Sequence, residues 1–269
     1  MVYKSDQTFA SANRRFDAPL RDEFLRSIPQ ILAVEKDFLI VYKPPRMHSA
    51  PQALSTESLL SLCVQRFPEV GKLPGRNKGE GGLLHRLDYE THGLMLFARS
   101  YLGMESLLQQ QERGKIIKEY SALACKSDVV LPGFPKEKPE LQPGNPIEIT
   151  SAFRPFGPGR KAVRPVLPGD EKNKKPQARY LTEIIESKSV TIASLGNCLS
   201  FRLRISKGFR HQIRCHLAWL GFPIINDTLY GGKAYGDGNL ALRACALSFS
   251  DPSTGEERCY SLGQQHLLL

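Results

Sequence analysis

Between Leu199 and Gly221 the hydrophobic period of this chain changes once, and that change limits what it can build. In LSFRLRIS, Leu199, Phe201, Leu203 and Ile205 alternate with Ser200, Arg202, Arg204 and Ser206. A period of two makes a strand with one buried face; here the other face is basic. After Gly208, GFRHQIRCHLAWLG places Ile213, Leu217 and Leu220 at helical intervals, with Gly221 as the stop. A half-buried strand that turns directly into a helix calls for a sheet with helices packed on it.

The rest of the chain supplies the sheet. ILAVEKDFLIVYKPP predicts a hairpin around Lys36-Asp37, ended by Pro44-Pro45. STESLLSLCVQRFP predicts a helix capped by Ser55 or Thr56, with Leu59, Leu62, Cys63 and Phe67 on one face and Pro68 after it. Residues 71–82 read as a Gly/Lys-rich loop. LLHRLDYETHGLMLFARS then sets a polar centre between two buried strands. YLGMESLLQQQERG predicts a helix ending at Gly114, and KIIKEYSALAC a strand. Residues 131–170 hold nine of the nineteen prolines and read as a long connection with little regular structure. ARYLTEIIES and SVTIASL predict a further hairpin, and LRACALSFSDPSTGEERCYSL a last one around Asp251–Gly255. Strands dominate, helices are few and neighbours are antiparallel, so the expected class is α+β on a mixed, largely antiparallel sheet. No repeat appears, and no linker is clean enough to divide residues 31–269. Residues 1–30 read as an arm.

Composition adds a partner class. The 269 residues carry 41% hydrophobic and 24% charged side chains, as in soluble globular proteins. The N-terminus shows no apolar signal-like run, and no stretch reaches the roughly 18 apolar residues of a membrane span. Six scattered cysteines without a C-x-x-C pair predict free thiols in a reducing cytoplasm. Lys and Arg number 37 against 27 acids, a net charge of +10. Eight basic residues fall between Arg154 and Arg179, and five between Arg202 and Arg214, where no acid stands. Neither segment is an amphipathic basic helix, which favours a nucleic acid over a membrane as the polyanionic partner.

Within HRLDYETH, Asp88 stands two residues from Arg86. In isolation an R-x-D is most simply a surface turn capped by the carboxylate. Its functional alternative is a carboxylate held ionised for nucleophilic or base work. Arg210 and Arg214, four apart, would share a face of the predicted helix, either as solvated charge or as anion contacts. His211, Cys215 and His216 match no closed four-ligand zinc set, so no metal is expected. Tyr120 shares a strand face with Ala122 and Ala124, as a core tyrosine would.

The motifs, taken together and in order, resemble the RluA-type pseudouridine synthases over about residues 31–256. HRLDYETHGLMLFA is similar to the catalytic H-R-L-D-x-x-T-x-G-L, KEYSALA to a K-x-Y-x-A strand, and LSFRLRISKGFRHQIRCHLAWLGFPIINDTLYGG to the strand–helix segment ending L-G-x-P-I-x-x-D-x-L-Y-G. The resemblance implies that the chain isomerises a uridine in rRNA or tRNA, without a cofactor, as a cytoplasmic monomer. By position it makes Asp88 the catalytic aspartate, Tyr120 the active-site tyrosine and Arg214 the basic partner of Asp88. It assigns Arg86, His85, Lys118, Arg210, His211 and Gln212 to substrate binding. Two departures stand out. Lys207-Gly208-Phe209-Arg210 replaces the usual T-G-R-x, and His92 stands where a serine is usual. The small RNA-binding S4 domain of many relatives is not visible. Two other functions fit some of the residues: an idle RNA-binding module on the same fold, and a hydrolase pairing Asp88 with Glu90.

Overall fold

The Lys36-Asp37 turn joins β1 (Gln30–Val34) and β2 (Phe38–Lys43) as the antiparallel hairpin the alternation predicts. In this computed structural model the described residues are 28–52, 57–75, 77–139, 147–167 and 178–263. They form two compact units, one running through Lys118 and resuming at Arg243, the other spanning Glu119–Leu242.

In the first unit every residue of β2 and of β3 (His92–Ala98) is buried, as the unbroken apolar runs require. β2 and β3 pair antiparallel from Phe38↔Ala98 to Lys43↔Gly93. β3 meets β9 (Leu242–Ser250) in parallel at His92↔Arg243 and Gly93↔Ala244, and β10 (Glu257–Ser261) closes a hairpin on β9. Gly93 has φ 125°, and a Cβ there would stand 2.2 Å from the Ala244 carbonyl oxygen, so the close strand contact needs glycine. Helices α1 (Leu59–Arg66), α2 (Pro68–Lys72) and α3 (Tyr101–Glu112) complete the unit. Ser58 and Ser61 form the capping box of α1. The predicted caps Ser55 and Thr56 lie outside the described residues. The core joins Phe38, Ile40 and Tyr42 of β2 to Leu94, Leu96, Met104, Leu107 and Phe249, with Phe38 edge-on to Phe249 at 5.0 Å. Before β3, Leu83 makes one bridge to Phe97 rather than a strand.

The second unit contains most of β4 (Ile117–Cys125), then β5 (Ile147–Phe156), β6 (Ala162–Val166), β7 (Tyr180–Ile192) and β8 (Gly196–Ile205). They lie in the order β4-β8-β7-β5-β6. The β5/β6, β5/β7 and β7/β8 pairs are antiparallel. Helix α4 (Gln212–Leu220) is buried along its whole length and ends at Gly221, φ 88°. The class is therefore α+β with a mixed, mostly antiparallel arrangement of strands, as expected.

Three further expectations need correction. The proline-rich stretch is not irregular throughout: among its described residues β5 and β6 are regular strands, where Pro155 and Pro165 occupy ladder positions that pair with Val163 and Phe153. The expected turn near Ser187 is absent, since β7 continues through Glu186–Ser189 with the side chains exposed and the backbone paired to β8. Their polarity marks solvent, not a turn. Finally, Cys125 and Cys198 form a disulfide, so the cysteines are not all free thiols. Cys63 and Cys215 remain buried thiols, and burial pushes Cys63 up to about 12. The predicted arm lies, over residues 1–27, outside the described residues.

Candidate active site

Asp88 occupies the turn that feeds β3, where the Thr91 N–H donates to the Asp88 carbonyl at 3.1 Å. Asp88 is half-buried, with Tyr89 and Glu90 exposed beside it. Two buried side chains hold this turn. The Ser49 hydroxyl accepts from Leu87 N–H at 3.0 Å and donates to the Leu87 carbonyl at 2.9 Å. Lys43, at the end of β2 and fully buried, donates Nζ to the carbonyls of Pro44 (2.9 Å), Met47 (2.8 Å) and Tyr89 (3.2 Å). An ammonium has three N–H bonds, and here each finds a carbonyl. Burial pulls Lys43 from 10.5 down to about 7, against the opposing pull of the Asp88 and Glu90 carboxylates. A buried amine thus lies within electrostatic reach of the two acids of the motif. Sequence reasoning missed it, although Lys43-Pro44 closing an apolar strand was a usable signal.

His92 opens β3 with no exposed surface, its Nδ1 hydrogen-bonded to the Tyr42 hydroxyl at 2.8 Å. Burial, then the charges of Arg243 and Lys43, pull it down to about 3, so it is neutral. In the second unit, burial does the same to His216, whose Nε2 and Nδ1 meet Ser151 and Thr182 hydroxyls at 2.9 Å each. Both histidines take up protons near pH 6.5 when unfolded but near 3 when folded. The stability they contribute is complete above pH 6.5 and is lost as pH falls toward 3, at up to about 1.4 kcal/mol per pH unit for each group. Urea unfolding between pH 7 and 4 is expected to show this slope, and His92→Gln to reduce it by one proton. An unchanged slope in that variant would refute a neutral His92.

Of the other residues singled out in HRLD, Arg86 forms an ion pair with Glu80 and is otherwise exposed. His85 accepts from the Leu96 N–H through Nε2 at 3.1 Å. Lys118 is buried, at the last position of β4 that belongs to this unit.

The second unit holds the remaining candidates. Tyr120 is buried on β4. Arg214, buried on α4, makes a bidentate pair with Asp227, Nε to Oδ2 at 2.7 Å and Nη2 to Oδ1 at 2.8 Å. Asp227 was not singled out from the sequence, though it is the aspartate of the quoted I-x-x-D-x-L-Y-G. Gln212 accepts from Phe209 N–H at 3.0 Å and donates to Leu181 O at 2.8 Å and Thr182 Oγ1 at 3.0 Å, which commits its amide to the fold. Arg210 does not share a helix face with Arg214, because α4 begins at Gln212. Its guanidinium donates to the carbonyls of Arg160 (2.6 Å) and Ala162 (3.2 Å). His211 sits before the helix with φ 56° and meets the Tyr230 hydroxyl at 3.2 Å. Phe209, at the departure from T-G-R, stacks on Phe153 with centroids 5.0 Å apart.

The basic face is less free than its sequence implied. Arg202 and Arg204 both bind Glu119, at 2.6 and 2.9 Å. Burial pushes the Glu119 carboxyl up, but hydrogen bonds from Arg204 and Arg202 prevail and hold it below the usual carboxylate range. Arg164 is buried, donating to the Pro132 carbonyl at 2.7 Å with its guanidinium over Phe156 and Phe134. Lys172, Lys174 and Lys175 lie outside the described residues. The zinc reading of His211, Cys215 and His216 finds no support in these contacts. Both His216 nitrogens are engaged, burial raises the Cys215 thiol, and no cluster of metal-ligating groups occurs among the described residues.

A model of the RNA pseudouridylate synthase family matches residues 37–219, which include both the Asp88 turn and the Arg214 helix, and the chain belongs to that family. Two curated relatives are the ribosomal large subunit pseudouridine synthases D of Pasteurella multocida (strain Pm70) and Vibrio parahaemolyticus serotype O3:K6 (strain RIMD 2210633). The first is 26% identical over 241 residues, covering 84% of this chain and 64% of that one. The second is 26% identical over 248 residues, covering 86% and 66%. The chain thus spans a little under two thirds of their length. Human RNA pseudouridylate synthase domain containing 1 shares the fold, with TM-score 0.57 at 21% identity over 87% of this chain and 82% of that one.

Proposed function

We propose that this chain converts uridine in structured RNA to pseudouridine, with Asp88 as the reacting carboxylate. The observation that carries the reading is the Asp88 turn itself, pinned by Ser49 and Lys43 in a chain of this family. Large-subunit ribosomal RNA is the favoured substrate, since the relatives are named for it.

In the reaction the N1–C1′ bond breaks, the uracil turns, and C5 bonds to C1′. C5 gives up its proton and N1 gains one, so atoms balance without redox or group transfer. No cofactor is called for. The carboxylate of Asp88 acts on the sugar or base, and Tyr120 packs on the uracil, roles that follow from motif position. Arg214 is the basic partner of the reaction, and its pair with Asp227 orients the guanidinium. The target base has to leave its stack, and Arg86 fills the vacated space or holds the flanking phosphate. An idle RNA-binding module would need none of the buried charge around Asp88.

Pseudouridine mapping of ribosomal and transfer RNA, with and without the gene, tests the reading. One or more ribosomal sites are expected to vanish and to return when the purified protein meets unmodified RNA. No lost site in either RNA class, with no product in vitro, would refute it.

A further inference from the structure

Beside Asp88 the chain exposes an aromatic ring that neither the fold nor the reaction accounts for. Tyr89 is 43% exposed, and its ring lies against His48 with centroids 4.7 Å apart and planes tilted by 41°. The two rings come from separate segments, one after β2 and one before β3. The same buried group fixes both segments: Lys43 Nζ binds the Tyr89 carbonyl directly and the Met47 carbonyl just ahead of His48. His48 is held further by Leu59 N–H on its carbonyl at 2.9 Å and by Gln52 on its Nδ1 at 3.2 Å. These are rings set in place before any ligand arrives, which spares the cost of ordering them on binding.

We propose that Tyr89 and His48 form a stacking platform for the nucleobase next to the target uridine, held from below by Lys43. The proposal rests on the functional reading above and adds a binding residue to it. Aromatic faces accept any base because every base has a π-face, and single-stranded or splayed-out RNA is held in this way. Asp88 and Glu90 flank Tyr89 on both sides, and their negative charge repels phosphate. The surface therefore suits a neutral base rather than the backbone. Placed one residue from Asp88, a stacked neighbour would hold the strand while its uridine turns out.

The test uses the full chain and an oligouridine RNA decamer carrying one central 2-aminopurine, whose emission drops when it stacks on an aromatic ring. Wild type and Tyr89→Phe are expected to quench it equally, because the ring and not the hydroxyl acts. Tyr89→Ala and Tyr89→Leu are expected to weaken binding about tenfold and to abolish the quench, a typical size for loss of one base–aromatic contact. Melting temperatures of all variants are measured alongside, and Tyr89→Leu replaces Tyr89→Ala if the latter does not fold. Undiminished quenching in the Leu variant would overturn the platform while leaving pseudouridine formation intact. Quenching that depends on Tyr89 in a protein that modifies no RNA would instead remove the functional reading alone.

Discussion

Asp88→Asn is expected to bind RNA as wild type does and to bring pseudouridine formation below detection. Asparagine keeps the shape of the side chain, and several bonds of the turn are made without the carboxylate: Thr91 N–H binds the Asp88 carbonyl, while Ser49 and Lys43 bind Leu87 and Tyr89. The fold should therefore survive. What disappears is the negative charge and the lone pairs of a carboxylate, and an amide is neither nucleophile nor base. Phosphate contacts set register and affinity, so binding should persist. Single-turnover tritium release from 5-³H-uridine RNA, with binding assayed in parallel, reads both. A variant that still turns over removes Asp88 as the reacting group. One that fails to fold shows that the carboxylate was serving the turn.

Arg214→Ala is expected to lose activity and also to destabilise the second unit, by about 3–5 kcal/mol, because it leaves the buried Asp227 carboxylate without its bidentate partner. Loss of turnover in this variant alone would say nothing about chemistry. A double variant, Arg214→Met with Asp227→Leu, separates the two effects by replacing the buried pair with apolar side chains of similar size, a change often neutral for stability. Urea unfolding should return close to wild type, while tritium release should stay absent if Arg214 serves the reacting carboxylate. Recovery of both stability and turnover would reduce Arg214 to a structural role.

Much of the fold is legible from period alone. The β1/β2 hairpin, α3, the strand with Tyr120, β8, α4 with its Gly221 stop and the β9/β10 hairpin all lie where hydrophobic spacing and turn residues place them. Failures share a cause. In β7, Glu186–Ser189 look like a turn because their side chains meet water, yet their backbone groups are paired to β8. In β5 and β6, prolines suggest irregular chain, yet they sit at ladder positions the sheet tolerates. Local chemistry reports what a side chain faces, not where the backbone hydrogen bonds go.

The candidate site divides in the same way. Asp88, Arg86, Tyr120 and Arg214 are visible in the sequence because their motifs are contiguous and ordered. Motif order and hydrophobic period suffice for the family, the α+β class and the residues around which a site could form. The partners of those residues emerge only once the chain is folded. Lys43 lies 45 positions before Asp88, and Asp227 lies 13 after Arg214. Glu119 takes up Arg202 and Arg204 from another strand, and Cys198 bonds a cysteine 73 residues away. A buried charge or thiol finds its partner by proximity in space, and proximity between distant segments is set by how strands pair and where the core closes. One-dimensional spacing carries no record of that distance.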